Sequence, residues 1–191
     1  MNALYQVLQE EIALSEKEWH TLREIVKPKT IKAKTMLLRA GQIAREFYFI
    51  EEGLLRVYHL ENGKEVNTYF SCDHQFISTF RSMITQSASL EYLEAIEESR
   101  ILCIPYQSLL QLYDENPKLE RLGRTFAEKN YLCVINRSSN LQTKTAKERY
   151  LDFIETHSPK IIRRVPQYQI ASYLGIEPES LSRIRKQLAI S

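Results

Sequence analysis

The 191 residues are enough for one ordinary domain and a small second one. Hydrophobic residues make up 43% and charged residues 26%, a globular balance that argues against a disordered or fibrous chain. The net charge of +2 hides an asymmetry: residues 1–140 hold 17 Lys and Arg against 19 Asp and Glu, whereas residues 141–191 hold 9 against 5, a basic end on a mildly acidic body.

The first stretch reads as two helices. Ser15 followed by Glu18 is a capping box, and Trp19, Leu22 and Ile25–Val26 recur at helical spacing before Lys27–Pro28 ends the helix. From Thr30 to Pro105 short apolar and aromatic runs alternate with turn signals. Asn62–Gly63 between two alternating segments predicts a hairpin, because a type I′ turn needs positive φ at both central residues. In Leu54–Leu60 and Glu65–Phe70 the alternation is imperfect. Seven or eight short strands at this spacing imply a small antiparallel roll. A short helix is expected over Tyr106–Tyr113 and a long one over Pro117–Asn140. Leu119, Leu122, Phe126 and Cys133 fall on one a/d-like stripe, which serves either packing against the roll or a dimer. Ser138–Lys144 reads as a hinge, Ala146–Thr156 as an amphipathic helix and Ile161–Val165 as a short strand.

Some chemistry is argued against. Cys72, Cys103 and Cys133 contain no CxxC pair and read as small buried hydrophobes. His20, His59, His74 and His157 stand singly, so no metal site is expected. Glu51–Glu52 and Glu97–Glu98 lie beside turns and read as solvated charges. There is no nucleophile–base pair, paired catalytic carboxylates or phosphate-cradling loop, and catalysis is not expected. No apolar run approaches the roughly 18 residues of a membrane span, and the N-terminus lacks a basic-then-apolar leader, so the expectation is a cytoplasmic protein.

The segment Gln167–Leu188 fills the slots of a helix-turn-helix. Ala171 is the small residue at the helix crossing, and Gly175 supplies the positive-φ turn. Ile170, Leu174, Ile176, Leu181 and Ile184 lock the two helices together. Pro178 pre-sets the first turn of the second helix, which leaves Glu179, Ser180, Ser182 and Arg183 facing outward as candidate readers of base edges. Glu179 and Arg183 are also an i,i+4 pair that could form a salt bridge. Gln167, Arg185 and Lys186 are placed for phosphates.

From Thr30 to Leu188 the chain resembles the Crp/Fnr family of bacterial regulators. LLRAGQIAREFYFIEEGLLRVY looks like the family's cyclic-nucleotide-type roll, AIEESRILCIPYQSL like its closing strands, and RVPQYQIASYLGIEPESLSRIRKQL like its helix-turn-helix. The resemblance implies an α+β fold: N-terminal helices and an antiparallel β-roll over residues 1–116, a dimerisation helix over 117–140, and a DNA-binding domain over 141–191. It implies a sequence-specific transcription regulator acting as a homodimer on pseudo-palindromic DNA, with RNA polymerase a possible further partner. It also makes Leu119, Leu122, Phe126 and Cys133 the dimer stripe.

Departures from the family pattern shape the expected control. Members that bind cyclic AMP carry Gly-Glu and Arg-Ser or Arg-Thr pairs in the roll. Here those positions are Ser78–Thr79 and Ser89–Leu90, with Arg81 following the wrong strand, so cyclic AMP is not the expected effector. The iron–sulfur branch carries an N-terminal cysteine set, and the first cysteine here is Cys72, so no cofactor is expected. His74 occupies a turn where the family often has Gly. Little or no wing is expected after the recognition helix. The alternative is a small-ligand-binding module with a vestigial DNA-binding domain.

Overall fold

The computed structural model describes residues 1–190, with side chains through Leu188. Helices α1 (Asn2–Glu11) and α2 (Glu16–Ile25) come first. The Ser15 hydroxyl accepts from the Glu18 amide, and the Glu18 carboxylate accepts from the Ser15 amide at 2.7 Å, closing the expected capping box. Eight strands follow: β1 (Lys27–Ile31), β2 (Met36–Leu38), β3 (Glu46–Glu52), β4 (Leu54–Glu61), β5 (Lys64–Cys72), β6 (Phe76–Ile77), β7 (Glu91–Ala95) and β8 (Ser99–Pro105). A short helix, α3 (Phe80–Thr85), lies between β6 and β7. The strands form two antiparallel sheets, ordered β1-β8-β3-β6 and β2-β7-β4-β5. Their inner faces bury Phe49, Ile50, Leu55, Val57, Leu93, Ile101 and Leu102, and Leu4 and Leu8 of α1 join that core.

Turn chemistry sets the geometry. Asn62 and Gly63 have φ of 51° and 79°, as a type I′ hairpin requires. His74 also sits at positive φ, 62°. Gly53 joins β3 to β4 at φ 139°, and a Cβ there would lie 2.1 Å from Ser99 Oγ, so no larger residue fits this crossing.

A bulge explains the imperfect alternation. Val57 faces Tyr69 and Tyr58 faces Asn67, which leaves Thr68 unopposed. The slip keeps Glu65 and Asn67 on the outer face of the second sheet beside Arg56. Arg56 is buried there, donating to Glu94 at 2.5 and 2.9 Å, to Glu65 at 2.6 Å and to Asn67 at 3.2 Å, with its guanidinium 4.1 Å over the Tyr58 ring.

After α4 (Tyr106–Glu115), the long helix α5 runs from Pro117 to Thr143. Asn116 caps it by accepting from the Lys118 and Leu119 amides. The expected hinge over Ser138–Lys144 is helical as far as Thr143, and extended backbone appears at Lys144. Those polar residues belong to a solvated helix face. Helix α6 (Ala146–Thr156) begins at a second capping box, Thr145 with Glu148.

The short strand expected over Ile161–Val165 is instead a helix, α7 (Pro159–Arg164). Ser158 caps it through the Lys160 amide and Pro159 takes the first helical turn, so the start signals outweigh a short apolar run. Ile161 and Val165, four apart, both point into the core. Helices α8 (Gln167–Leu174) and α9 (Pro178–Ile190) complete the described chain, and α9 extends to the last described residue.

Candidate nucleic-acid interface

Helix α8 ends in a Schellman closure. Gly175 has φ 63°, its amide donates to the Ser172 carbonyl at 3.1 Å, and the Ile176 amide donates to the Ala171 carbonyl at 3.0 Å. The chain then reverses, and the Ser180 and Leu181 amides both donate to the Glu177 carbonyl at the start of α9. Ile170, Ala171, Leu174, Leu181 and Ile184 are buried together, with Ile176 packed against them. All five residues assigned to the lock from the sequence are in it, together with Ala171 at the crossing.

Locking that face presents the opposite one. Glu179, Arg183 and Lys186 are exposed, and Ser180, Ser182 and Arg185 are half-buried. Among the described residues the i,i+4 ion pairs are His20–Glu24 and Arg124–Glu128. The anticipated Glu179–Arg183 bridge is not formed, so the Arg183 guanidinium keeps its donors for an external acceptor. Gln167 is exposed at the first turn of α8. Beside it Tyr168 is 56% exposed, an aromatic at the same edge that the sequence reading passed over.

Helix α8 also docks this unit on the roll. Leu54, Phe70 and Cys72, on the outer face of the second sheet, share one apolar cluster with Phe153, Ile161, Val165 and Tyr173. Ser172 Oγ donates to the Glu65 carbonyl at 2.7 Å and accepts from the Asn67 amide at 3.0 Å, satisfying the free edge of β5. Arg137 Nη2 of α5 donates to the Asn67 and Tyr173 carbonyls, both at 3.1 Å. Glu97, expected to be a solvated charge, pairs with Lys160 at 3.0 Å and Arg164 at 2.7 Å, and Lys160 also meets Asp73 at 2.6 Å. Burial disfavours ionised Asp73, but hydrogen bonds from Lys160 and the Gly53 amide outweigh it and hold the carboxyl below its ordinary range. Glu97 is held low in the same way, with Arg164 and Lys160 overcoming its burial. Glu179, Arg183 and Lys186 of α9 stay exposed while α8 is docked.

The roll positions corresponding to a nucleotide site are occupied structurally. Ser78 Oγ donates to the Glu46 carbonyl at 3.0 Å, and Ser89 Oγ turns back on Glu91. Thr79 Oγ1 is buried without a partner, and Leu90, 66% exposed, lines the outer part of a cleft beside Ser89. Arg81 corrects the sequence expectation. Carried on α3, it lines a cleft of about 550 Å³ with His59, Thr68, Ser89 and Glu91, so a cation does reach this cleft. Arg81 is itself exposed, which puts its charge at the cleft mouth.

The long helix requires a second correction. Leu119 and Leu122 are buried in the chain's own core, and Phe126 packs at a tilt against Phe76 with ring centroids 4.7 Å apart. Leu119 and Leu122 are therefore unavailable to a second copy, and Phe126 is half-buried. Cys133, expected to be buried, is exposed, whereas Cys72 and Cys103 are buried as expected. A different stripe of α5 is open: Ala127, Tyr131, Val134, Ser138 and Leu141 follow the four-three spacing of a coiled-coil seam. Tyr131 is 65% and Val134 56% exposed, with Leu132 and Ile135 exposed alongside.

Among the described residues no cluster of three His, Cys, Asp or Glu is arranged to hold a metal ion, and no helix is long and apolar enough to cross a membrane. The cyclic nucleotide-binding domain matches residues 28–116. The fumarate and nitrate reduction regulatory protein of Vibrio cholerae is 26% identical over 183 residues, covering 90% of this chain and 72% of its own length. The transcriptional activator protein anr of Pseudomonas aeruginosa is 23% identical over 190 residues, 91% of this chain and 75% of its own. In fold the chain is similar to FixK2 of Bradyrhizobium japonicum, with a TM-score of 0.76 at 17% identity over 87% of this chain and 85% of that one. It is similar also to the c-di-GMP-responsive regulator CLP of Xanthomonas campestris, with a TM-score of 0.72 at 16% identity over 92% of each chain. A nucleotide-binding-type roll, a long helix and a helix-turn-helix, in a chain aligned along most of its length with such regulators, support a DNA-binding transcription regulator of Crp/Fnr type.

Proposed function

We propose that the protein is a homodimeric, sequence-specific regulator that reads DNA with the outer face of α9 and does not answer to cyclic AMP. The observation that carries the reading is Arg183: exposed on the first turns of α9, without an ion pair among the described residues, on a helix fixed by a buried lock. Its planar fork suits guanine O6 and N7, and Glu179 suits a cytosine amino group. Ser180 and Ser182 flank them, while Gln167, Arg185 and Lys186 address phosphates. The dimer forms through the open α5 stripe of Ala127, Tyr131, Val134 and Leu141 rather than through Leu119, Leu122 and Phe126. The units are then residues 1–116, the long helix, and the DNA-binding part after it. The protein works in the cytoplasm, carries no catalytic or cofactor chemistry, and reaches RNA polymerase through DNA-bound geometry.

Cyclic AMP needs a cation at its phosphate inside the roll and a carboxylate at its ribose. The interior positions hold Ser78, Thr79 and Ser89, and Arg81 stands at the mouth in a cleft that also holds Glu91. A buried phosphate without a close cation is costly, several kcal/mol before relaxation. Calorimetry is expected to show no cyclic AMP binding at micromolar concentration, and a micromolar dissociation constant contradicts this part of the reading. Fluorescence anisotropy on genomic fragments tests the rest. Selective binding to a subset of fragments supports it, and failure to bind any fragment favours a ligand-binding module with a vestigial DNA-binding domain.

A further inference from the structure

Between α5, α6 and α8, outside the roll, lies a cavity of about 170 Å³. Two arginines enter it. Arg137 spends Nη2 on two backbone carbonyls, while its Nε is buried without a partner. The Arg149 side chain makes no hydrogen bond or ion pair among the described residues; its Nε is also buried without a partner, and its Nη1 lies against Gly175. The carboxylate in the lining, Asp152, takes Lys144 and, at 3.1 Å, Asn140 on its Oδ2, and among the described residues it pairs with neither arginine. A guanidinium left with buried, idle donors is costly, so two of them facing one cavity point to an acceptor of opposite charge.

The remaining walls define its shape. Phe153, Tyr173 and Leu174 are apolar and buried, and Arg137 lies over the Tyr173 ring with its guanidinium carbon 4.8 Å from the centroid. His157 stacks on Phe153 at 4.2 Å, and burial pushes its pKa down, so it adds an aromatic face rather than a third cation. A cavity of about 150 Å³ accepts benzene. The space here therefore fits a six-membered ring, or a branched chain of similar size, bearing one anionic group.

We propose that this cavity is a binding site for a small organic carboxylate with a compact apolar body, the carboxylate accepting from Arg137 and Arg149 and the body packing on Phe153, Tyr173 and Leu174. A carboxylate matches the forked donors of guanidinium in two parallel bonds. The apolar walls select against a bare inorganic anion. The site does not depend on DNA binding, and it can fail or hold without touching that reading.

The test is calorimetry on the full chain in a chloride buffer at pH 7, with benzoate, benzyl alcohol and inorganic phosphate as separate probes. Benzoate is expected to bind at one site per chain, with benzyl alcohol and phosphate each at least tenfold weaker. Arg149→Gln removes a side chain that holds nothing else in place, so it should lower benzoate affinity at least tenfold and leave the melting temperature of the free protein unchanged. Absence of benzoate binding overturns the proposal. So does equal affinity for benzyl alcohol, which shows an apolar hole, or tighter phosphate binding, which shows an anion site without an apolar requirement. Unchanged benzoate affinity in Arg149→Gln also overturns it. The three-probe comparison on the unmodified protein decides the matter even if the variant does not fold.

Discussion

A guanidinium on the first turns of a helix keeps its full donor set only while no carboxylate of its own chain claims it. Arg183 meets that condition, because Glu179 one turn earlier does not bridge to it. Arg183→Ala is expected to lower affinity for the preferred DNA by about 1–3 kcal/mol and to relax selectivity at one base pair per half-site. Lys186→Ala should weaken all sequences alike and reduce the slope of log affinity against log salt by about one. Anisotropy titrations at several salt concentrations separate the two, and an Arg183→Ala variant that loses affinity equally on every sequence reduces Arg183 to a phosphate contact. Gly53 is constrained by sterics rather than function. Gly53→Ala combines φ of 139° with a Cβ 2.1 Å from Ser99 Oγ, so urea denaturation should show a clear loss of stability.

Helix α5 carries two apolar stripes, and they separate cleanly by experiment. Leu122→Ala cuts into the chain's own core and should cost about 2–5 kcal/mol of folding stability. Val134→Glu, on the open stripe, should leave the fold intact and yield monomers in sedimentation, whereas a persistent dimer removes that stripe from the interface. The sequence shows the helix itself because its cap, Pro117 and periodicity are local. It does not show which stripe faces inward, because the partner rings, such as Phe76 against Phe126, lie far along the chain. The helix-turn-helix was legible for the opposite reason. Ala171, Gly175 and the apolar slots each answer a steric demand within about twenty residues. A local signal was also there for α7, in Ser158–Pro159, but the short apolar run Ile161–Val165 fits strand or helix equally well by periodicity. Thr68 shows how one extra residue hides a strand pattern: the bulge shifts every later side chain to the other face. Arg56, Ser172 and Glu97 were illegible as partners because their contacts join distant segments.

At the scale of the molecule, the C-terminal helical unit is held to the roll by one apolar cluster, the edge of β5 and an ion cluster. Asp73 and Glu97 are held below their ordinary carboxyl range, so they contribute stability that is present above about pH 4 and lost as pH falls through that region. Lys160 is held above its ordinary value: burial opposes its charge, but Asp73 and Glu97 outweigh that, so its share fades only as pH rises past about 10. Docking should therefore be flat between about pH 7 and 9 and weaken in acid, first as the buried His157 is protonated against its lowered pKa and then as Asp73 and Glu97 lose their charge, read as protection of the Asn67 amide in hydrogen exchange. Lys160→Met should flatten the carboxylate part of the acid limb, and an unaltered limb places that pH dependence elsewhere. Because Glu179, Arg183 and Lys186 of α9 stay exposed, the joint suits the proposed dimer, in which it would set where the two copies of α9 stand. The most direct test is selection of bound sequences from a random DNA pool. Enrichment of a pseudo-palindrome whose half-sites are centred about one helical turn, roughly 34–36 Å, apart is the predicted result. A pool that stays unenriched, or that yields one unpaired half-site, contradicts a sequence-specific dimer.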